Sequence, residues 1–432
     1  MKIKNNEILN LTATDISYQG LGISILESGY KIFTSGLFKG EKATCQVIKT
    51  NKNYAFAKVL NYLETSKFRI NDNNKFLIET QCACFYGIDY EEQLRIKEDY
   101  INLILKWSIP ELKNLNVKFH SSAQKIHYRN KAKYRYVVNN QGNLDLYSFV
   151  FNSNELIKAD WFELNHSSVN LKLKQITDYL NKLKLSDKKQ IKGITIRSNN
   201  SEFQVILEVD NIQKINKAIF NTIIEDSKIM TFVLVSENQS VILKDLPFFI
   251  EWMDKKFLVS WDSFFQIDLS SFSKIISKSK EIIQKNQYKK IYDIYCGVGS
   301  LGIMFSNHKT ELIGYEIVEN AIYNAKQNAK INNINKFNFE VFDAQKLSIQ
   351  IKDSKDSLII LDPPRKGLSK QLINNITKNN CDVIYISCDP RTLIRDLKLF
   401  IQNNYQIVSF DSYDCFSNTF HIESLVFLKA KL

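Results

Sequence analysis

A chain of 432 residues is too long for a single hydrophobic core, so two or three domains are expected. Its hydrophobic fraction of 44% is that of a globular protein, and no apolar run approaches the roughly 20 residues that span a bilayer, which argues against a membrane helix. The net charge of +12 favours a polyanionic partner. The seven cysteines are odd in number and scattered, as individually used thiols are in a reducing compartment. The opening MKIKNNEILNLTATD lacks the apolar segment of a secretory signal, and a cytoplasmic location is expected.

Residues 1–65 read as a small β unit. Short alternating runs are broken by Gly20, Gly22, Gly29, Gly36 and Gly40, without a helical stripe, which predicts a small barrel. Its last hairpin carries Lys49, Lys52 and Lys58 with Tyr54 and Phe56, a combination suited to single-stranded nucleic acid. Residues 66–245 read as a mixed α/β domain. A helix is predicted over 91–107, closed by Pro110 and able to pack on the last domain. A basic strand follows in HYRNKAKYRYVV (127–138), and further strands are predicted near 145–151, 192–197 and 203–209.

From 246 to 432 apolar runs alternate with helical segments, the pattern of an α/β, doubly wound, mostly parallel sheet. Ligands of such sheets sit at the carboxyl ends of the strands, near the switch in strand order. Four strand ends carry chemistry. Gly297, Gly299 and Gly302 allow a tight turn and close approach of backbone to ligand, a spacing that serves a dinucleotide equally well. Glu316 ends the next strand, where an acid accepts both hydroxyls of an adenosine ribose, and Asp343 ends the third, within reach of an adenine. Asp362 precedes Pro363 and Pro364 in a rigid acidic turn of the kind methyltransferases set beside the methyl acceptor. Together these favour S-adenosylmethionine over a nicotinamide dinucleotide.

Cys388, in YISCDPRTL, follows a further apolar strand. A nearby cation or helix start is expected to lower its pKa and raise the thiolate fraction. A thiolate adding to carbon 6 of uracil makes carbon 5 nucleophilic, and a base must then remove the proton from carbon 5. Glu423 is the candidate base and His421 its rival; two positions apart on a strand, both would face one side.

These stretches resemble the S-adenosylmethionine-dependent RNA uracil-5-methyltransferases. SFFQID (263–268), DIYCGVGSLGI (293–303), EIVENAIYNAKQNAKINN (316–333), LDPPRKG (361–367), YISCDPRTLIRDL (385–397) and DCFSNTFHIESLVFL (414–428) match in family order. The resemblance implies a Rossmann-like class I methyltransferase domain. It also implies cofactor contacts for Gln266, Tyr295, Gly297, Ser300, Glu316, Asp343 and Asp362, with Asp362 near the target base, Cys388 as nucleophile and Glu423 as base. DISYQGLGIS and FTSGLFKGEKATCQVI resemble the OB-like TRAM barrel of the ribosomal members, which tRNA-specific members generally lack, and imply 23S ribosomal RNA as the substrate rather than DNA. Arg129, Lys131 and Arg135 match a basic strand that meets phosphates, and a monomer is implied. Many ribosomal members bind a four-cysteine iron–sulfur cluster. Here only Cys82 and Cys84 remain, with none near Asn71 to Asn74 or Asp160, so no cluster and no other metal is expected. The alternatives are a tRNA uridine-5 enzyme, an adenine amino-methyltransferase, for which Arg365 replaces the usual aromatic, and a non-catalytic ribosome-assembly factor.

Overall fold

The computed structural model describes residues 3–70, 75–112, 115, 117–159, 162–346 and 356–431. Six strands form the amino-terminal sheet: Ile8–Thr12, Asp15–Ile16, Gly22–Ile25, Lys31–Ser35, Lys42–Thr50 and Tyr54–Glu64. The first strand and the short second one stand at opposite edges of this sheet yet are consecutive in the chain, so the sheet curls on itself as a barrel. Alternation along the strands sends Leu11, Ile32, Val47, Ala55 and Ala57 inside. The barrel's end is tied to the following segment by Arg69, whose guanidinium bonds both oxygens of the fully buried Glu41 at 2.7 and 2.6 Å.

The central sheet has seven strands, with Lys131–Val138 and Ile191–Ser198 at its middle and the helix Ser167–Leu180 packed on one face. The predicted strand over 127–138 starts later, at Lys131, because His127 takes a left-handed conformation and the chain bends there.

The last sheet has eight strands. Lys336–Val341, Glu311–Glu316, Lys290–Ile294, Ser357–Leu361 and Asp382–Ser387 run parallel in that spatial order. Glu423–Ala430 then inserts antiparallel between Asp382–Ser387 and Tyr405–Tyr413. Every residue of Ser357–Leu361 is buried, as expected of a strand covered on both faces. Leu358 and Ile360 pack towards the helices Leu269–Asn286 and Glu319–Ile331, and Ile359 and Leu361 towards Lys370–Thr377 and Pro390–Gln402. Strand order switches between Lys290–Ile294 and Ser357–Leu361, which opens the crevice where such folds bind ligands.

The middle of the chain is not one contiguous unit over 66–245. Its helix Tyr90–Ser108 and strand Lys118–His120 belong to the last sheet: Lys118–His120 pairs with Tyr405–Tyr413 at the edge, and Ile101 and Leu105 enter that sheet's core. The helix buries Gln93, Lys97, Ile101 and Leu105, a stripe of every fourth residue that is polar in its first half and apolar in its second. Among the described residues, no helix is long and apolar enough to cross a membrane.

Candidate active site

The turn after Lys290–Ile294 is tight because three of its five residues are left-handed: Tyr295 at φ 70°, Gly297 at 54° and Gly299 at 78°. The amides of Tyr295 and Cys296 both donate to the carbonyl of Tyr315, at 3.0 Å each. Glu316 lies against the loop. Its carboxylate accepts from the amides of Ile317 (2.7 Å), Val318 (3.0 Å) and Gly297 (3.3 Å). Asp343, just past Lys336–Val341, accepts from the amide of Gln345 at 3.0 Å. Ser300 opens the helix Ser300–Phe305. Asp293 is buried and accepts from the amide of Gly302 at 2.8 Å; burial lifts its carboxyl to about 7, with the charges of Asp362 and Glu316 adding to the rise.

Gln266 comes from a different part of the chain, and the structure fixes it from two sides. Asn130 donates its side-chain amide to the Gln266 carbonyl (3.0 Å) and its backbone amide to that of Ile267 (3.2 Å). Arg197, fully buried in the central sheet, donates to the carbonyls of Ser260 (3.1 Å) and Ser263 (2.6 Å). On the other side Asn328 joins Leu258 to the carbonyl of Val298, in the glycine loop. Neither Asn130, Arg197 nor Asn328 was singled out from sequence; each acts through backbone carbonyls that no motif spells out.

The site has the features of a cradle for an adenosyl group. A Cβ added at Gly297 would meet nothing within 4 Å, so the loop presents bare backbone to open space. Among the described residues, Tyr295 Oη and Asp293 Oδ1 are buried without a hydrogen-bond partner.

Asp362 joins this half to the second. It is half-buried at the end of Ser357–Leu361, and burial raises its carboxyl to about 7. Its charge acts on Asp293 on one side and on Cys388 and Glu423 on the other. The expectation of a lowered thiol pKa at Cys388 is overturned: the thiol is raised to about 12, first by burial and then by Glu423 and Asp362. The cation nearest to Cys388 in sequence, Arg391, is spent, since it pairs with Asp389 at 2.7 Å. The cation that opposes the rise is Arg365, which in the sequence stands out only for taking the place of an aromatic after the two prolines.

Glu423 is buried, and its carboxyl is pushed well above the usual range by burial and by Asp362, with Arg365 opposing. His421 does not share a strand with it: the strand begins at Glu423, and His421 lies in the loop before it. The two nevertheless converge, because Arg365 stands 3.2 Å from His421 Nε2 and its charge also acts on Glu423. Burial and the surrounding cations, Arg365 foremost, lower His421 to about 3.

The loop that carries His421 is anchored from far away. Lys97 meets Asp414 at 2.5 Å with both side chains almost wholly buried, and Tyr90 donates to the same carboxylate at 2.8 Å. Gln93 donates to the side chain of Asn418 and accepts from its amide, at 3.0 Å each, while Tyr128 donates to the carbonyl of Ser417 at 2.9 Å. The polar half of the Tyr90–Ser108 stripe is thus the support of this loop.

Of the three expected phosphate contacts, Lys131 and Arg135 lie on one face of their strand; Arg135 is exposed over Phe149, and Lys131 is half-buried beside Arg197. Arg129 instead turns inward, donating to the carbonyl of Cys82 at 3.3 Å with its guanidinium against Phe162. In the barrel hairpin Lys58 is taken up by Glu155 and Phe56 by Phe151, so that part of the basic face docks the barrel on the central sheet. Cys84 is buried and its thiol raised to about 12 by burial, while Cys82 is half-buried. Asn71 to Asn74 and Asp160 lie outside the described residues.

The crossed strand order, the glycine turn and the acids at successive strand ends define a class I S-adenosylmethionine-dependent methyltransferase fold, with a TRAM domain matched over residues 2–60. The chain belongs to the tRNA (uracil-5-)-methyltransferase family, whose model matches residues 89–431. It is similar to RNA methyltransferases of Lactobacillus johnsonii, 29% identical over 99% of both chains, and of Enterococcus faecalis, 26% identical over 99% of this chain and 98% of that one. Among solved structures it shares the fold of the Pyrococcus abyssi tRNA (uracil-54, C5)-methyltransferase in complex with S-adenosyl-L-homocysteine. The TM-score is 0.73 at 18% identity, with 97% of this chain and all of that one covered.

Proposed function

We propose that this RNA methyltransferase transfers a methyl group from S-adenosylmethionine to carbon 5 of a specific uridine in 23S ribosomal RNA, acting as a cytoplasmic monomer without an iron–sulfur cluster. The observation that carries the chemistry is the strand register, which sets the ends carrying Asp362, Cys388 and Glu423 on neighbouring strands next to the glycine turn, with the charge of Arg365 acting on the last two. Glu316 and Asp343 would hold the adenosine; Gln266, Tyr295, Gly297, Ser300 and Asp362 would surround the rest of the cofactor. When bound, that cofactor supplies an electrophilic methyl group.

Cys388 acts as its thiolate, having given its proton to solvent: Sγ adds to carbon 6 of the uracil, and the electron pair of the bond between carbons 5 and 6 shifts through carbon 5 onto the carbonyl oxygen at carbon 4. The electron pair returns from that oxygen through carbon 5 to bond the methyl carbon, and the pair of the broken methyl–sulfur bond stays on the cofactor's sulfur as the thioether leaves. Glu423 removes the proton left on carbon 5, and the returning electron pair restores the double bond and expels the thiolate. Glu423 suits this better than His421, because a carboxylate of raised pKa is a stronger base than an imidazole of pKa about 3. Arg365 favours the ionised forms of both Cys388 and Glu423. Arg135, exposed on its strand, is suited to an RNA phosphate, and the half-buried Lys131 lies on the same face of that strand.

A second reading is a tRNA uridine. The Pyrococcus abyssi enzyme is named for tRNA, and its whole length shares this fold, so a barrel in front of the catalytic domain does not by itself select ribosomal RNA. The test is transfer of labelled methyl to unmodified 23S, 16S and transfer RNA, followed by digestion to nucleosides. Label in 23S alone, recovered as 5-methyluridine, supports the proposal. Label in transfer RNA keeps the chemistry and replaces the substrate, and label in adenosine overturns the chemistry.

A further inference from the structure

The barrel reaches the supports of both catalytic side chains through one residue. Tyr18 sits in the turn Ser17–Gly20, closed by the amide of Gly20 donating to the carbonyl of Ser17 at 2.9 Å. The guanidinium of Arg391 lies over its ring, 3.9 Å from the centroid. The same ring stacks on Tyr100 of the Tyr90–Ser108 helix at 6.2 Å and 24°, and meets Phe420 edge-on at 6.1 Å. Arg391 in turn grips both oxygens of Asp389, at 3.1 and 2.7 Å. Asp389 follows Cys388 directly and caps the helix Pro390–Gln402. Phe420 directly precedes His421, with their rings 4.2 Å apart, in the loop that leads into Glu423.

The turn that presents Tyr18 is itself fixed. Gly20, at φ 75°, comes so close to Cys84 that an added Cβ would lie 2.7 Å from the sulfur. Ile16 and Phe38 of the barrel share one apolar cluster with Cys84, Phe85, Ile88 and Phe420. Capture of RNA at a distance does not require a barrel side chain lodged against Arg391, the cation that grips the residue after the nucleophile.

We propose that Tyr18 is a positioning residue for methyl transfer: it sets the Arg391–Asp389 pair and the Phe420–Glu423 loop in register, so that the barrel acts on the chemical step. The proposal rests on the uridine-5 reading above. Small displacements of reacting groups are costly in rate, so the loss of such a brace lowers turnover rather than affinity.

The test compares full-length wild type with Tyr18→Phe, Tyr18→Leu and Tyr18→Ala on the RNA that the wild type methylates, reading kcat, KM for RNA and the rate of covalent adduct formation with the 5-fluorouridine form of that RNA. Tyr18→Ala and Tyr18→Leu are expected to lose about tenfold in kcat and in adduct rate, with KM held within about twofold. Tyr18→Phe keeps the ring and is expected to stay near wild type. Thermal midpoints are measured alongside, and Tyr18→Leu, which keeps apolar bulk, carries the test if Tyr18→Ala does not fold. An unchanged kcat overturns the proposal, as does a rise in KM alone, which would assign Tyr18 to RNA capture. Equal losses in Tyr18→Phe and Tyr18→Ala would also overturn it. A wild type that makes no 5-methyluridine removes the underlying reading as well, whereas an active wild type with indifferent variants removes this inference only.

Discussion

The two halves of the site are built in opposite ways. In the proposed cofactor half, Glu316 ends a parallel strand and Gly297, Asp343 and Asp362 stand just past one, and most of their hydrogen bonds run to amides within a few residues of themselves or of the next strand end. The half proposed to meet the target base draws on residues more than three hundred positions apart: Lys97 with Asp414, Gln93 with Asn418 and Tyr18 with Arg391. A parallel sheet delivers strand ends to one crevice as a consequence of its topology. A loop that must place a base over an acceptor ring has no such guarantee and is braced by buried long-range polar contacts.

If that contrast is right, damage to the second half separates chemistry from cofactor binding. Glu423→Gln has the largest expected effect: methylation falls by about 10²–10⁴-fold, as for loss of a positioned base. S-adenosylmethionine affinity, measured by calorimetry, is expected to stay at the wild-type level. The cysteine adduct with ordinary RNA should accumulate, because its breakdown needs the base; a variant that turns over normally would move the base elsewhere.

Lys97→Met tests the brace. It leaves Asp414 as an uncompensated buried charge, which costs about 3–5 kcal/mol in folding free energy. Urea denaturation reads this directly, and a loss below about 1 kcal/mol would mean that the pair does not hold the loop.

Arg365→Met is the mildest and the most specific. Cys388 and Glu423 must both lose a proton to act, and burial already pushes both upward. Removing the opposing cation raises them further, so at pH 7 a smaller fraction of each is ionised and the rate falls several-fold. The acid limb of the pH–rate profile should move to higher pH, with activity regained as the pH rises. A profile that only scales down, without moving, would contradict this electrostatic role.

The same contrast explains what was legible in the sequence. The glycine turn, Glu316, Asp343 and Asp362 were readable because local spacing encodes them, and the strands around them because their apolar runs are long. Cys388 and Glu423 stand out as candidates by their position after or at the start of such strands, but the environment of Cys388 differs from the one expected. Arg391, three residues on, is the nearby cation that the sequence offers, whereas folding commits it to Asp389 and Tyr18 and brings Arg365 in from another strand end. The helix 91–107 was legible from its apolar stripe. That Gln93 and Lys97 continue the stripe with polar groups was not, since a buried lysine is recognisable only once its partner 317 residues away is known. Arg129 likewise read as a surface base, but its strand begins two residues later and its side chain folds inward.

The central claim is that Cys388 bonds covalently to a uracil ring. RNA carrying 5-fluorouridine blocks the final elimination, because fluorine cannot leave carbon 5 as a proton does. Incubated with S-adenosylmethionine and such RNA, the wild-type enzyme is expected to form a denaturation-resistant complex, which mass spectrometry places on the peptide containing Cys388 and which Cys388→Ala does not form. An enzyme that methylates ordinary RNA while forming no adduct, or one attached through another residue, would contradict the account.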